Sequence, residues 1–296
     1  MNFWRLLLGS QALLPLPVCH LLGTAMARWA WLRSTKAKKV TLINLSLCFP
    51  DRSDADLRRL ARRSLIETGK TIMEAGLVWS RSADASLKTI VKTDGIEKLD
   101  EALKRGKGVI VFGPHMGNIE IQLTQVARRY ESTIPYTPAR WPDLDAIMRN
   151  KREREGVRMV VAGRSGVRSM LETLRRGGLV SMAPDQVPRA GGVIAPFFGV
   201  PALTTTILSS LARKTDAAVF STCSIRLPRG AGFETHFTEV KQNIKLESPV
   251  DAAVEMNRAL EECVMKAPAQ YSWEYKRFRR RGPDLPTPYK PLIPRL

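Results

Sequence analysis

The chain changes its hydrophobic rhythm twice. Residues 6–27 carry no charge at all and are largely apolar, a length close to what spans a bilayer, but Gly9, Pro15, Pro17 and Gly23 interrupt the run. From Arg52 to Lys70 the period becomes helical, with Leu57, Leu60, Ala61, Ser64, Leu65 and Thr68 on one face, arginines on the other, and Ser53 or Asp54 placed to cap. From about residue 88 short apolar runs alternate with amphipathic ones. "TIVKTD" reads as a strand, Ile96–Lys104 as a helix, and residues 108–112 as a buried strand. Ile119, Leu123, Val126, Ala127 and Tyr130 form one helical stripe. Strands are expected at residues 158–162 and 179–185, around a helix whose face is Val167, Met170, Leu171 and Leu174 and whose stop is Gly177-Gly178. A helix in "LTTTILSSLARK", strands in "AAVFSTCSIRL" and "GFETHFTEV", and a late helix in "DAAVEMNRALEECVMKA" complete the pattern. Alternation of this kind predicts an α/β fold, a central mixed sheet flanked by helices, preceded by a membrane-associated N-terminal helical segment. The expected division is an anchor over residues 1–39, one domain over 40–281 and a basic, Pro-rich surface tail over 282–296.

Charge narrows the partners. Lys and Arg number 47 against 28 Asp and Glu, a formal charge of +19, which favours anionic partners such as an acidic protein, anionic lipid or a phosphorylated glycolipid. Nucleic acid has no recognisable binding signature to support it, and the apolar N-terminus argues against it. That N-terminus ends in "RWAWLRSTKAKK", whose Trp29, Trp31 and basic cluster suit a membrane interface on its cytoplasmic side; whether the segment spans or lies on the bilayer is left open. The four Cys are scattered, without a C-x-x-C pair, so free thiols are expected rather than disulfides or zinc.

One stretch carries chemistry. In "VIVFGPHMGNIEIQ" a buried strand stops at Gly113-Pro114 and His115 follows, with Glu120 in the first turn of the next helix. A carboxylate there can take a hydrogen bond from one ring nitrogen, hold the tautomer and stabilise an imidazolium, leaving the other nitrogen to accept a proton from a hydroxyl. Gly113 and Gly117 would let a substrate come close. A His that merely packs or caps at a strand end fits the same spacing. H-E-x-x-H, G-x-S-x-G and the P-loop pattern are all absent, so no metal site and no nucleophilic serine are expected.

"PHMGNIE" resembles the H-x-x-x-x-[D/E] motif of glycerolipid-type acyltransferases and, with its Glu, the late acyltransferases of lipid A biosynthesis. "NLSLCFP" (44–50), "APDQVPRAGGVIAPFFGVPALTTT" (183–206) and "QYSWEYKRFRRR" (270–281) resemble further blocks of that family, in the same order. Glu274-Tyr275 departs from it, where the family often shows a His. The resemblance implies acyl transfer from an acyl carrier protein thioester, or from coenzyme A, to a hydroxyl of a lipid A precursor. It places the reaction on the cytoplasmic face of the inner membrane, with no other cofactor and no metal. It implies His115 as base and Glu120 as its partner. Gly117, Asn118, Arg164, Asp185, Gln186 and Arg189 become candidate substrate contacts, backbone N–H groups near Gly117–Asn118 or Arg164 serving the oxyanion. Phe197 and Phe198 fit either a core or an acyl-chain slot. Other acceptors, a different glycolipid or an aminolipid, and a non-catalytic membrane lipid-binding role remain as alternatives.

Overall fold

A computed structural model describes residues 3–240 and 242–290. Helices come first: α1 (Phe3–Ala12), α2 (Leu16–Leu32), α3 (Lys36–Cys48), α4 (Asp54–Met73), α5 (Ala75–Ser80) and α6 (Ala83–Leu87). Pro15 breaks the apolar run between α1 and α2, and Ser53 caps α4 by accepting from the Asp56 N–H. Then strands and helices alternate: β1 (Ile90–Asp94), α7 (Ile96–Lys104), β2 (Val109–Phe112), α8 (Ile119–Arg129), β3 (Ser132–Tyr136), α9 (Pro142–Arg154), β4 (Val157–Val161), α10 (Arg164–Arg175) and β5 (Leu179–Met182). A hairpin of β6 (Val193–Phe197) and β7 (Val200–Thr204) leads to α11 (Ile207–Thr215), β8 (Ala218–Arg226), β9 (Phe233–Glu239) and α12 (Pro249–Lys266).

Seven strands form one sheet in the order β1-β9-β8-β2-β5-β3-β4. From β8 through β4 all neighbours are parallel, whereas β9 runs against β8 and β1 runs with β9. The expectation of a mixed sheet flanked by helices holds, with parallel pairing dominant. β2 is central and its four residues are all buried, which is why it reads as an unbroken apolar run rather than an alternation.

The N-terminal helices are packed onto the rest. Gly23 of α2 and Gly69 of α4 cross at backbone contact: a Cβ on Gly23 would stand 2.6 Å from the Gly69 carbonyl oxygen. Among the described residues no helix is long and apolar enough to cross a membrane. The Pro-rich end, expected to trail over the surface, returns inward at Tyr289, which is buried and whose hydroxyl meets the Asn44 side chain; residues 291–296 lie outside the described residues. Phe197 is sealed in an aromatic cluster with Phe198, Tyr271 and Phe278, so it serves the core.

Candidate active site

Parallel strands gather their carboxyl ends on one edge, and two such ends build the site. Phe112 of β2 pairs with Met182 of β5. His115 and Asp185 each follow three residues later, so they emerge side by side. Asp185 Oδ1 accepts from His115 Nδ1 at 2.6 Å, and Oδ2 accepts from the His115 backbone N–H at 3.0 Å. The Asp185 carboxylate is 2 % exposed and the imidazole 35 %, so the ring is held from behind with one edge open.

This corrects the expected pairing. The carboxylate on the ring belongs to Asp185 and not to Glu120. Glu120 is instead gripped by Arg152 of α9, through Nε at 3.1 Å and a second, shorter contact from the guanidinium. Glu120 still acts on His115 through space, raising its pKa, while Arg152 lowers it. Burial by itself would push His115 down; the Asp185 charge and hydrogen bond outweigh it, and the ring titrates above 6.5. Burial likewise pushes Asp185 up, and His115 pulls it below the usual carboxylate range.

Neutral imidazole is the form that accepts a proton. Activity should therefore climb with pH along a limb centred above 6.5. Asp185→Asn removes the charge that holds the proton on the ring, so its limb should move to lower pH. A kcat/KM profile of the two proteins checks this, and an unmoved limb would contradict the pairing.

The loop from His115 to Glu120 is fastened from below. Gly117 has φ +55, and a Cβ there would lie 1.7 Å from the Ser224 carbonyl oxygen. Its glycine is thus required by the sheet beneath it rather than by a substrate above. A Cβ on Gly113 would similarly meet the Thr222 oxygen at 2.2 Å. The Gly117 N–H donates to the Gln270 carbonyl at 3.0 Å, which removes it as an oxyanion donor. Asn118 is buried and engaged at both ends: Nδ2 donates to Glu74 and Oδ1 accepts from the Glu120 N–H, capping α8. Gly117 and Asn118 therefore shape the loop.

The other expected contacts are scattered along the same edge. Gln186 and Arg189 are exposed in the stretch after β5. Arg164 is exposed at the start of α10, after β4. Three strand spacings separate β4 from β2, about 14 Å, so Arg164 stands away from the imidazole.

Two further groups of residues support the site; the sequence marked the first only as a resembling block and missed the second. The 270–281 block closes over the site: the Ser272 N–H donates to the His115 carbonyl at 3.0 Å, and Met116 bridges Tyr271. Burial and the neighbouring Asp185 hold the Tyr271 phenol well above its ordinary value. Glu274 Oε1 accepts from the Thr68 hydroxyl at 3.1 Å, its other oxygen is buried without a partner, and burial raises its pKa. A raised carboxyl lowers stability progressively as pH climbs past its unfolded value, ordinarily 4.5. Glu274→Gln should thus unfold at a higher temperature than the parent, with a gap that widens as pH rises through that region. A thermal melt series in which the gap closes would refute it.

The second group is a buried ion cluster under the loop. Arg226, at the end of β8, is 3 % exposed and reaches Glu67 at 2.8 Å, Thr71 at 2.6 Å, the Gly117 carbonyl at 3.1 Å, and Glu74. Glu74 is fully buried and also takes His20 Nε2 at 2.7 Å and Asn118 Nδ2 at 2.9 Å. A lone Arg inside an apolar strand and a lone Glu inside "TIMEAGLVWS" were the available signals, since buried charges must find each other.

A mostly parallel sheet with a charged pair at its carboxyl edge is the build of an α/β enzyme. Residues 3–280 match the family model for bacterial lipid A biosynthesis acyltransferases, and the chain belongs to that family; it is an acyl-transferring enzyme. It is 28 % identical over 296 residues to a lipid A biosynthesis lauroyltransferase of Escherichia coli strain K12, covering 97 % of this chain and 95 % of that one. A palmitoleoyltransferase of the same pathway and organism is 27 % identical, covering 90 % and 87 %. A myristoyltransferase, also from Escherichia coli K12, is 24 % identical, covering 90 % and 82 %.

Proposed function

We propose that the protein moves a fatty acyl chain from an acyl carrier protein thioester directly onto a hydroxyl of a lipid A precursor. The observation that carries the reading is His115 itself. Asp185 holds Nδ1, so Nε2 is the nitrogen left to draw the proton from the acceptor hydroxyl as its oxygen attacks the thioester carbonyl. The carbonyl–sulfur bond then breaks, and the thiolate leaves with the proton that the imidazolium returns. Asp185 stabilises that transient imidazolium at contact distance; Glu120, neutralised by Arg152, adds a weaker field. All four cysteine thiols are buried, which favours transfer without an acyl-enzyme thioester. The net charge of +19 suits an acidic carrier and a phosphorylated acceptor.

The N-terminal helices support action at the inner membrane's cytoplasmic face, lying on the bilayer. α2 is 17 residues long, about 26 Å of rise. Leu13 and Leu32 are each 83 % exposed and Leu21 69 %, an apolar edge open to its surroundings. Arg33 lies 3.8 Å from the Trp29 ring and Lys38 4.5 Å from the Trp31 ring, the pairing of cation and aromatic that suits a headgroup layer. The experiment is direct: purified enzyme, acyl carrier protein loaded with a fatty acid, and a lipid A precursor, read by mass spectrometry. Gain of one acyl chain, dependent on His115, is expected. No gain with any chain length among laurate, myristate and palmitoleate would defeat the reading.

A further inference from the structure

A cavity of about 630 Å³ opens between α1, the end of α5 and α9. Its wall holds Arg5, Arg81, Lys151 and Arg154 against one carboxylate, Glu155. Glu155 is already matched to Lys151 at 2.8 Å. Arg81 is positioned by backbone, donating to the carbonyls of Ala12 and Leu14, and among the described residues it forms no ion pair. Among the described residues neither Arg5 nor Arg154 forms an ion pair. Trp79 is also in the wall, and its indole N–H is buried without an acceptor. Positive charge is thus concentrated in a concave site that the described residues leave unanswered, which is the character of an anion site.

Two neighbours say what kind of anion. Phe3, Leu6 and Leu7 stand exposed on α1, the helix that forms one wall, so hydrocarbon has a surface to lie along beside the charged cavity. On α9, Arg152 follows Lys151 and grips Glu120, so one helix runs from the cavity to the catalytic loop. We infer that this cavity takes the phosphate group of the lipid acceptor, anchoring it while a hydroxyl of the same molecule reaches His115. The inference rests on the proposed acyl transfer and deepens it: Arg5, Arg81 and Arg154 are assigned to acceptor recognition, in place of the Arg164 and Arg189 expected from sequence.

The test uses the full-length enzyme, Arg154→Gln, and Arg5→Gln/Arg154→Gln, each checked for an unchanged melting temperature. The acceptor is offered with its phosphate and after the phosphate has been removed. Losing charge-assisted contacts should raise KM for the phosphorylated acceptor about tenfold or more, with kcat within about twofold. On the dephosphorylated acceptor the variants should match the parent. Binding to phosphatidylcholine vesicles containing phosphatidylglycerol should be unaltered. Equal KM values on the phosphorylated acceptor overturn the inference while the proposed reaction stands. So does vesicle binding that falls in step with the rise in KM, since the cavity would then hold a bilayer phospholipid. A parent enzyme inactive on both acceptors overturns the reaction and the inference together.

Discussion

His115→Ala is expected to lower kcat by about 10²–10⁴ while leaving the protein folded, because it deletes the group placed to take the hydroxyl proton. The loss should not be read as misfolding, and a second variant separates the two. Removing the imidazole strips the buried Asp185 of its cation, and a carboxylate in that position either stays charged at a cost or takes up a proton. His115→Ala should therefore also cost stability. Adding Asp185→Asn removes the stranded charge, so the double variant should recover stability and remain as inactive as the single one. Urea unfolding beside thioester turnover decides the matter. Substantial turnover by a folded His115→Ala protein would end the case for a base at this position. Stability shows the same pair from another side. His115 titrates higher when folded, so its contribution is complete below 6.5 and fades as pH rises through the raised value.

Much of this arrangement was legible from the chain, for identifiable reasons. His115 was visible because it follows an apolar run in a chain with only three His. Its partner was misread because Glu120 is close in sequence, whereas Asp185 is brought close only by the pairing of β2 with β5. Spacing along a chain cannot report that register. The resembling blocks meet for a similar reason: the Asn44 side chain donates to the carbonyls of Trp273 and Tyr275 at 2.7 Å, and Arg277 donates to the Leu203 carbonyl at 2.6 Å. Through these contacts the blocks fasten the segment that covers His115, and the block at 183–206 also carries Asp185. β6 and β7 went unread because each carries a proline; Pro196 and Pro201 face each other in a two-stranded ribbon, where a missing N–H can be tolerated. β3 was hidden by its neighbours, since "STIPYTPARWPD" gives turn residues where a sheet strand runs.

Arg226→Met should be the most destabilising change outside the hydrophobic core, costing about 3–5 kcal/mol, the typical penalty for leaving a buried charge without its partner. The methionine keeps much of the volume, so packing contributes little to the loss. Glu74 is what suffers. Burial pushes it up, and Arg226 first, with His20 and Asn118 behind, holds it below its ordinary value. A depressed carboxylate supports the fold above 4.5 and withdraws that support as pH falls through the lowered value. Without Arg226 burial dominates, Glu74 moves upward, and rising pH should weaken the variant more than it weakens the parent. Glu67 is cushioned by Lys70 at 2.6 Å and by its partial exposure, so Glu74 carries most of the penalty. Glu74→Gln in the same chain should accordingly restore a large part of the stability, because the amide oxygen can accept from Asn118 while its NH2 donates to a neutral His20 ring, with no cation needed. The rescue should stop at the fold. The Gly117 carbonyl loses Arg226 in both variants and keeps only the Thr71 hydroxyl at 3.0 Å, so the loop between His115 and Glu120 is less firmly held. Turnover should stay reduced in the stabilised double variant. Chemical unfolding and turnover measured on all three proteins test both halves. A single variant within about 1 kcal/mol of the parent, or a double variant no better than the single, would show that the cluster does not bear on folding as argued.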